Sequence, residues 1–249
     1  MRIVSLAPSN TEILFALGVG NQLAGVTAFC DYPKEAKLLS KVGGWTTAST
    51  DKILALKPDL VITSTFLQKE ASDRFKNLPF THLHVDPKTI ATVFESISQI
   101  GEVVGKKKEA KRIVGHMEKA ISTIQQHHGS LRSRVYIEEW HQPPMVSGNW
   151  VPEMVAIAGG DYFPIQPGTP SRKVSGKEIK KFDPTIILLS LCGFGTRPSK
   201  EIVTKRKRWE NLSAVKNNQV CVVDDSLFNR PGPRLILGIQ LLSKLIDNE

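Results

Sequence analysis

The feature that most constrains this 249-residue chain is a local pattern that occurs twice. Asp51–Pro58 reads as a short helix halted by proline, and the apolar, β-rich run Leu60-Val61-Ile62 follows it. Lys177–Pro184 reads the same way and runs into Ile186-Ile187-Leu188-Leu189. Continuous apolar strands of this kind belong to parallel sheets covered on both faces. Earlier in each half, Glu12–Gly18 and Glu153–Gly160 share an apolar helical face closed by glycine, and each half has a late strand ending in Asp, at His82–Asp86 and Val220–Asp224. The first segment adds a strand over Ile3–Leu6, N-cap candidates at Ser9, Asn10 and Thr11, and a second strand over Leu23–Thr27. Helix and strand alternate in matching order in both halves. The predicted fold is α/β, with two Rossmann-like lobes built on mainly parallel sheets. A chain of this length sits near the size at which one core gives way to two. Apolar positions stepping by three and four from Ile90 to Ile124 predict one long, rigid helix over 89–128 between a lobe at 1–88 and a lobe at 129–249.

Charge and motif content exclude several functions. The net charge of +9 comes from 33 basic and 24 acidic residues. It is spread as ten basic against eight acidic over 1–90, six against four over 91–130, and 17 against 12 over 131–249. No dense patch points to nucleic acid. The run Lys205–Arg208, flanked by Glu201 and Glu210, reads as a solvated helix face, and His127-His128 as a solvated pair. No glycine-rich phosphate loop, HExxH or GxSxG elbow is present. No apolar run is long enough to span a bilayer. Three scattered cysteines (Cys30, Cys192, Cys221) form neither a disulfide framework nor a metal cluster. With a strand beginning at Ile3, no secretory leader fits ahead of the fold. The expected location is cytoplasmic if Met1 is native, or periplasmic or cell-surface if a leader has been trimmed.

What remains is a set of aromatic and polar residues in loops at strand ends, where α/β sites form. Tyr32 follows Asp31 in a turn ended by Pro33, and Trp45 follows Gly43-Gly44. Glu139-Trp140-His141 ends the strand at Val135–Ile137, and Gly148-Asn149-Trp150 precedes a helix. Cys192-Gly193-Phe194-Gly195 ends the strand Ile186–Leu191, and Asp225 and Arg230 stand before the last helix. Flat apolar faces among few charges suit a large, flat, partly apolar ligand. His141 and Cys192 are the weak metal candidates.

These segments carry a resemblance. Arg2–Glu12, Asp31-Tyr32-Pro33 and Ile53–Ile62 in the first half are similar to the class III solute-binding proteins of ABC importers for vitamin B12, siderophores and haem. So are Pro143-Pro144, Ser147-Gly148, Ala158-Gly159-Gly160, Val174-Ser175 and Pro233-Arg234 in the second. The run from Glu139-Trp140 to Glu153, with Cys192-Gly193-Phe194, looks most like the cobalamin-binding members. The resemblance implies two α/β lobes joined by a single long helix, a ligand held between them and small opening motions. It implies a non-enzymatic protein that requires no cofactor and takes a corrinoid as ligand. Tyr32 and Trp45 stand where relatives contact the corrin, while Ser171 and Met145 stand where relatives carry aromatics. Trp150 and Trp140 would compensate, Phe194 is a further ligand contact, and Ser5, Asn10, Glu139, Asp225 and Arg230 would supply hydrogen bonds.

Docking to a permease would use Asp51 on the first lobe and Glu178 on the second, where Lys177 occupies the matching position. Positions bridged by a disulfide in some exported relatives are Ala158 and Ser243, which fits a reducing compartment. Alternatives are an iron–siderophore or haem binder, or a cytoplasmic enzyme or corrinoid chaperone using Cys192, His141 and Glu139. The expected protein is a monomer that neither binds nucleic acid nor inserts into membrane.

Overall fold

The structure is a computed structural model that describes residues 1–126 and 132–247. The chain forms two compact units: Met1–Pro87 with Ala91–His116, and Lys88–Ile90 with Met117 to the C-terminus. The pair His127-His128 lies outside the described residues.

In the first unit, β1 (Ile3–Ser5), β2 (Leu23–Val26), β3 (Leu60–Ser64) and β4 (Thr81–Val85) form a wholly parallel sheet in the order β2-β1-β3-β4. Helices α1 (Pro8–Ala16), α2 (Thr50–Ala55) and α3 (Lys69–Phe75) connect the strands. Val4, Leu6, Val42, Ile53, Val61 and Phe75 make the core. Helix α1 starts at Pro8, whose fixed φ suits the first helical position. Ala7 is therefore the N-cap, and Ser9, Asn10 and Thr11 do not cap the helix as expected.

The stretch expected as one helix is two: α4 (Ile90–Val103) and α5 (Lys107–Gln125). Gly105 turns left-handed at φ +70, with its N–H on the Glu102 carbonyl at 3.1 Å and the Lys106 N–H on Gly101 at 2.6 Å. That bonding pattern is a Schellman stop. A Cβ at Gly101 would lie 2.4 Å from that of Ala110, so this glycine allows the second helix to start close against the first.

The second unit repeats the first with an insertion. Its strands are β5 (Arg134–His141), β6 (Pro144–Val146), β7 (Asp161–Tyr162), β8 (Arg172–Lys173), β9 (Ile186–Leu189) and β10 (Val220–Val222). Strand β7 pairs in parallel with the first two residues of β5, β9 lies parallel on the other side, and β10 follows β9. The order β7-β5-β9-β10 thus reproduces β2-β1-β3-β4. The antiparallel strands β6 and β8 are added beside the end of β5. Helices α6 (Val151–Ile157), α7 (Gly176–Phe182), α8 (Glu201–Thr204), α9 (Ser213–Lys216) and α10 (Leu235–Asp247) complete it.

The duplication extends to backbone detail. Lys57 and Asp183, which precede the two helix-ending prolines, are left-handed at φ 45 and 46. Gly18 and Gly159, closing α1 and α6, stand at φ 77 and 86. The two-lobed α/β architecture read from the sequence is the observed one.

Candidate functional site

In a doubly wound sheet, ligands sit beyond the carboxyl ends of the strands where the winding reverses. In the first unit that point lies between β1 and β3, and in the second between β5 and β9. Each point carries its own set of loops.

In the first unit, Gln68 holds these loops together. Its side chain accepts the Ser64 N–H at 2.7 Å and donates to the carbonyls of Leu6 (2.7 Å) and Trp45 (2.6 Å). The loop after β2 joins it through the Ala28 N–H, bonded to Gly43 at 2.9 Å. On the loops that follow β2 and β3, Phe29, Tyr32, Phe66 and Leu67 are each about half exposed, and Trp45 is partly buried. Tyr32 and Trp45 are the two ligand contacts that the sequence reading put on this unit's loops. Phe29, Phe66 and Leu67 were missed because an apolar residue just past an apolar strand reads as more strand. Ser5 corrects an expectation. It is fully buried, bonded to the Thr11 hydroxyl at 2.8 Å and the Ala7 carbonyl at 3.2 Å, so it supports α1 rather than a ligand. Asn10 is also fully buried, yet its amide has no partner among the described residues.

In the second unit, Trp140, His141 and Phe194 form an aromatic trio with ring centroids 5.8–6.4 Å apart. Trp140 and Phe194 are 39% and 36% exposed. Phe194 rides on a loop held from below. The Asp225 carboxylate takes the N–H groups of Gly193 (2.8 Å) and Gly195 (2.7 Å), and Arg197 braces the Gly193 and Phe194 carbonyls. Asp225 is thus committed to the loop, a correction to its expected role as a ligand partner.

Trp150 is a second correction. It caps α6 from inside the core, 4% exposed, with its indole N–H on the Phe228 carbonyl at 2.7 Å. Glu139, at the end of β5, accepts a 2.5 Å hydrogen bond from Ser171. Burial pushes its carboxyl up, and the Ser171 bond offsets this in part.

The Cys192 thiol is pushed up to about 12 by surrounding protein and then by the Glu139 and Asp225 carboxylates, against the pull of Arg230. Cys192 is exposed at its surface, but at neutral pH it is a thiol and not the thiolate that nucleophilic chemistry needs. Among the described residues, no group of three or more His, Cys, Asp or Glu could hold a metal ion.

Beneath this rim lies a structural ion pair that the sequence concealed. Arg206 makes two 2.7 Å bonds to the fully buried Glu138, stacks 4.2 Å over Trp209 and reaches the His141 carbonyl at 3.5 Å. The basic run Lys205–Arg208 is therefore not wholly a solvated face. Of the docking candidates, Asp51 is exposed in the first turn of α2. Glu178 is occupied instead. It closes a capping box with Ser175, pairs with Arg172 at 2.9 Å, and is drawn down to about 2, chiefly by the Ser175 bonds.

The sequence model of the periplasmic binding protein family matches residues 3–227. An uncharacterized ABC transporter substrate-binding lipoprotein of Bacillus subtilis is 32% identical over 98% of this chain and 79% of its own length. A vitamin B12-binding protein of Pectobacterium carotovorum is 30% identical over 96% of this chain and 86% of its own. The crystal structure of a possible iron-binding, periplasmic solute-binding protein from Staphylococcus epidermidis superposes with a TM-score of 0.81 at 27% identity, covering 98% of both chains.

These matches overturn the cytoplasmic expectation, since the family is periplasmic and the Bacillus relative is a lipoprotein. The missing disulfide was a poor guide to compartment. Ala158 is fully buried where α6 packs on α10, and apolar packing holds that contact without a bridge. No helix of the described residues is long and apolar enough to cross a membrane. Matched from near its first residue through the second unit's last strand, this chain belongs to the periplasmic binding protein family, the solute-binding proteins of ABC importers.

Proposed function

We propose that this chain binds a corrinoid and delivers it to an ABC importer. The observation that carries this reading is the apolar rim of the first unit. There Phe29 and Tyr32, after β2, and Phe66 and Leu67, after β3, present uncharged, half-exposed side chains, and Trp45 is partly buried. Exposed apolar side chains gathered at one place mark a binding surface for an apolar face of similar extent. In the second unit the aromatic trio of Trp140, His141 and Phe194 adds flat surface. The Pectobacterium relative, named for vitamin B12, supports the same ligand. The protein acts by binding alone, and the raised Cys192 thiol supports that reading over an enzyme. Asp51 would face the permease, with the partner contact on the second unit coming from a residue other than Glu178.

Titration of the purified protein with cyanocobalamin, followed by visible absorbance, should show saturable binding. No binding at high-micromolar ligand overturns the proposal. One observation favours a second reading, an iron chelate such as haem. His141 Nδ1 is buried without a partner among the described residues, beside Trp140 and Phe194, and could meet a metal centre. Haemin binding tighter than cyanocobalamin in the same titration would select it.

A further inference from the structure

At the β1/β3 switch point, the first unit holds buried polar atoms that folding alone does not explain. Neither amide atom of the fully buried Asn10 has a partner among the described residues. The same holds for Ser64 Oγ (on a residue 1% exposed), Thr65 Oγ1 and the indole N–H of Trp45. One framework carries them all. Gln68 ties Ser64, Leu6 and Trp45 together, and Asn10 stands in the first turn of α1, which leaves β1 directly after Leu6-Ala7. Thr65 is held at φ 63, ψ 161, a strained conformation for a β-branched residue. A stranded buried donor or acceptor costs more than an ordinary hydrogen bond returns, so such atoms are rare where nothing meets them. Several on the segments around one switch point leave hydrogen-bonding capacity that a polar ligand group can fill.

The chemistry of these atoms identifies that group. Asn10 and Trp45 supply N–H donors, Asn10 supplies a carbonyl acceptor, the two hydroxyls serve either way, and none carries a charge. An ion buried among them would lose its hydration with no counter-charge to replace it. A primary carboxamide presents both NH₂ and C=O and satisfies both kinds of partner. We infer that the first unit contains a subsite for a neutral carboxamide group on the ligand, read by Asn10, Ser64, Thr65 and Trp45. This rests on the corrinoid reading only for the carrier, since a corrin periphery bears carboxamides.

The test has two arms. In the unliganded protein, Asn10→Leu and Ser64→Ala remove stranded atoms and should hold or raise Tm, by roughly 2–4 °C for Asn10→Leu. A fall in Tm for both variants means that the side chains have structural partners, and overturns the subsite. In the binding arm, the probes are dicyanocobinamide, which carries carboxamides, and the heptamethyl ester of cobyrinic acid, which carries the same ring with esters. Asn10→Leu should weaken cobinamide binding by about tenfold and leave the ester unchanged. Variants that bind both probes as the parent does overturn the subsite. A parent protein that binds neither probe overturns the corrinoid reading, and the Tm arm then decides the subsite alone.

Discussion

The two switch points share a topology and differ in how their polar groups are treated. At β1/β3, polar atoms of Asn10, Ser64, Thr65 and Trp45 are buried without partners among the described residues, and Phe29, Tyr32 and Phe66 on the neighbouring loops stand half exposed. At β5/β9, His141 Nδ1 and Ser147 Oγ are also buried without partners among the described residues, but the acidic groups are mostly committed inward. Glu138 bonds Arg206, Glu139 bonds Ser171, and Asp225 bonds two backbone N–H groups. A duplicated fold has thus kept its strand order while the two copies differ in how many polar groups near the switch point are paired within the protein. Topology says where a site lies, and the state of the polar groups says what each copy does there.

The largest effect should come from exchanging tryptophan roles. Trp150→Ala empties a core position and strands the Phe228 carbonyl, and should cost about 3–5 kcal/mol in denaturant unfolding. Trp45→Ala should cost about 1 kcal/mol or less and abolish cyanocobalamin binding. Equal stability losses from the two would break the contrast between a binding rim and a braced one.

A somewhat smaller loss should follow from Arg206→Met, about 3 kcal/mol, because Glu138 is left buried without its cation. Glu138→Gln combined with Arg206→Met should recover part of it, which a thermodynamic cycle on chemical unfolding would show. Additive losses would mean that the pair does not brace the rim.

Much of this fold was legible in the sequence because its signals are local. Helix, proline and apolar strand follow one another within 12 residues at Asp51–Ile62 and within 13 at Lys177–Leu189. The winding order then locates both switch points. What was not legible depends on distant partners. Trp150 and Trp45 both follow glycine-containing polar stretches, and only the Phe228 carbonyl, 78 residues away, draws one into the core. Arg206 sits in a run of four basic residues, and only Glu138, 68 positions earlier, selects it from the others. Gly101 stands just before, and Gly105 within, the lapse in apolar stepping between Val104 and Ile113, and the left-handed Gly105 stops the helix outright.

The smallest effect is a pH response in the second unit, where two glutamates respond in opposite directions. Glu139 is raised by burial, so the folded chain holds its proton where the unfolded chain has lost it. Its contribution is therefore greatest below the ordinary value of 4.5 and is lost as pH climbs through the raised value. Glu178 is drawn from 4.5 to about 2 by the Ser175 cap and Arg172, so its contribution is present above 4.5 and lost as pH falls toward 2. Glu139→Gln should then leave acid stability unchanged and raise stability at neutral pH. Glu178→Gln should lower stability at neutral pH and remove the acid-side decline, an effect kept small by the exposure of the Arg172 pair. Unfolding free energies measured from about pH 3 to pH 8 separate the two. If Glu139→Gln instead destabilises the protein at neutral pH, the carboxylate is a well-solvated partner, and the second switch point is as open to ligand as the first.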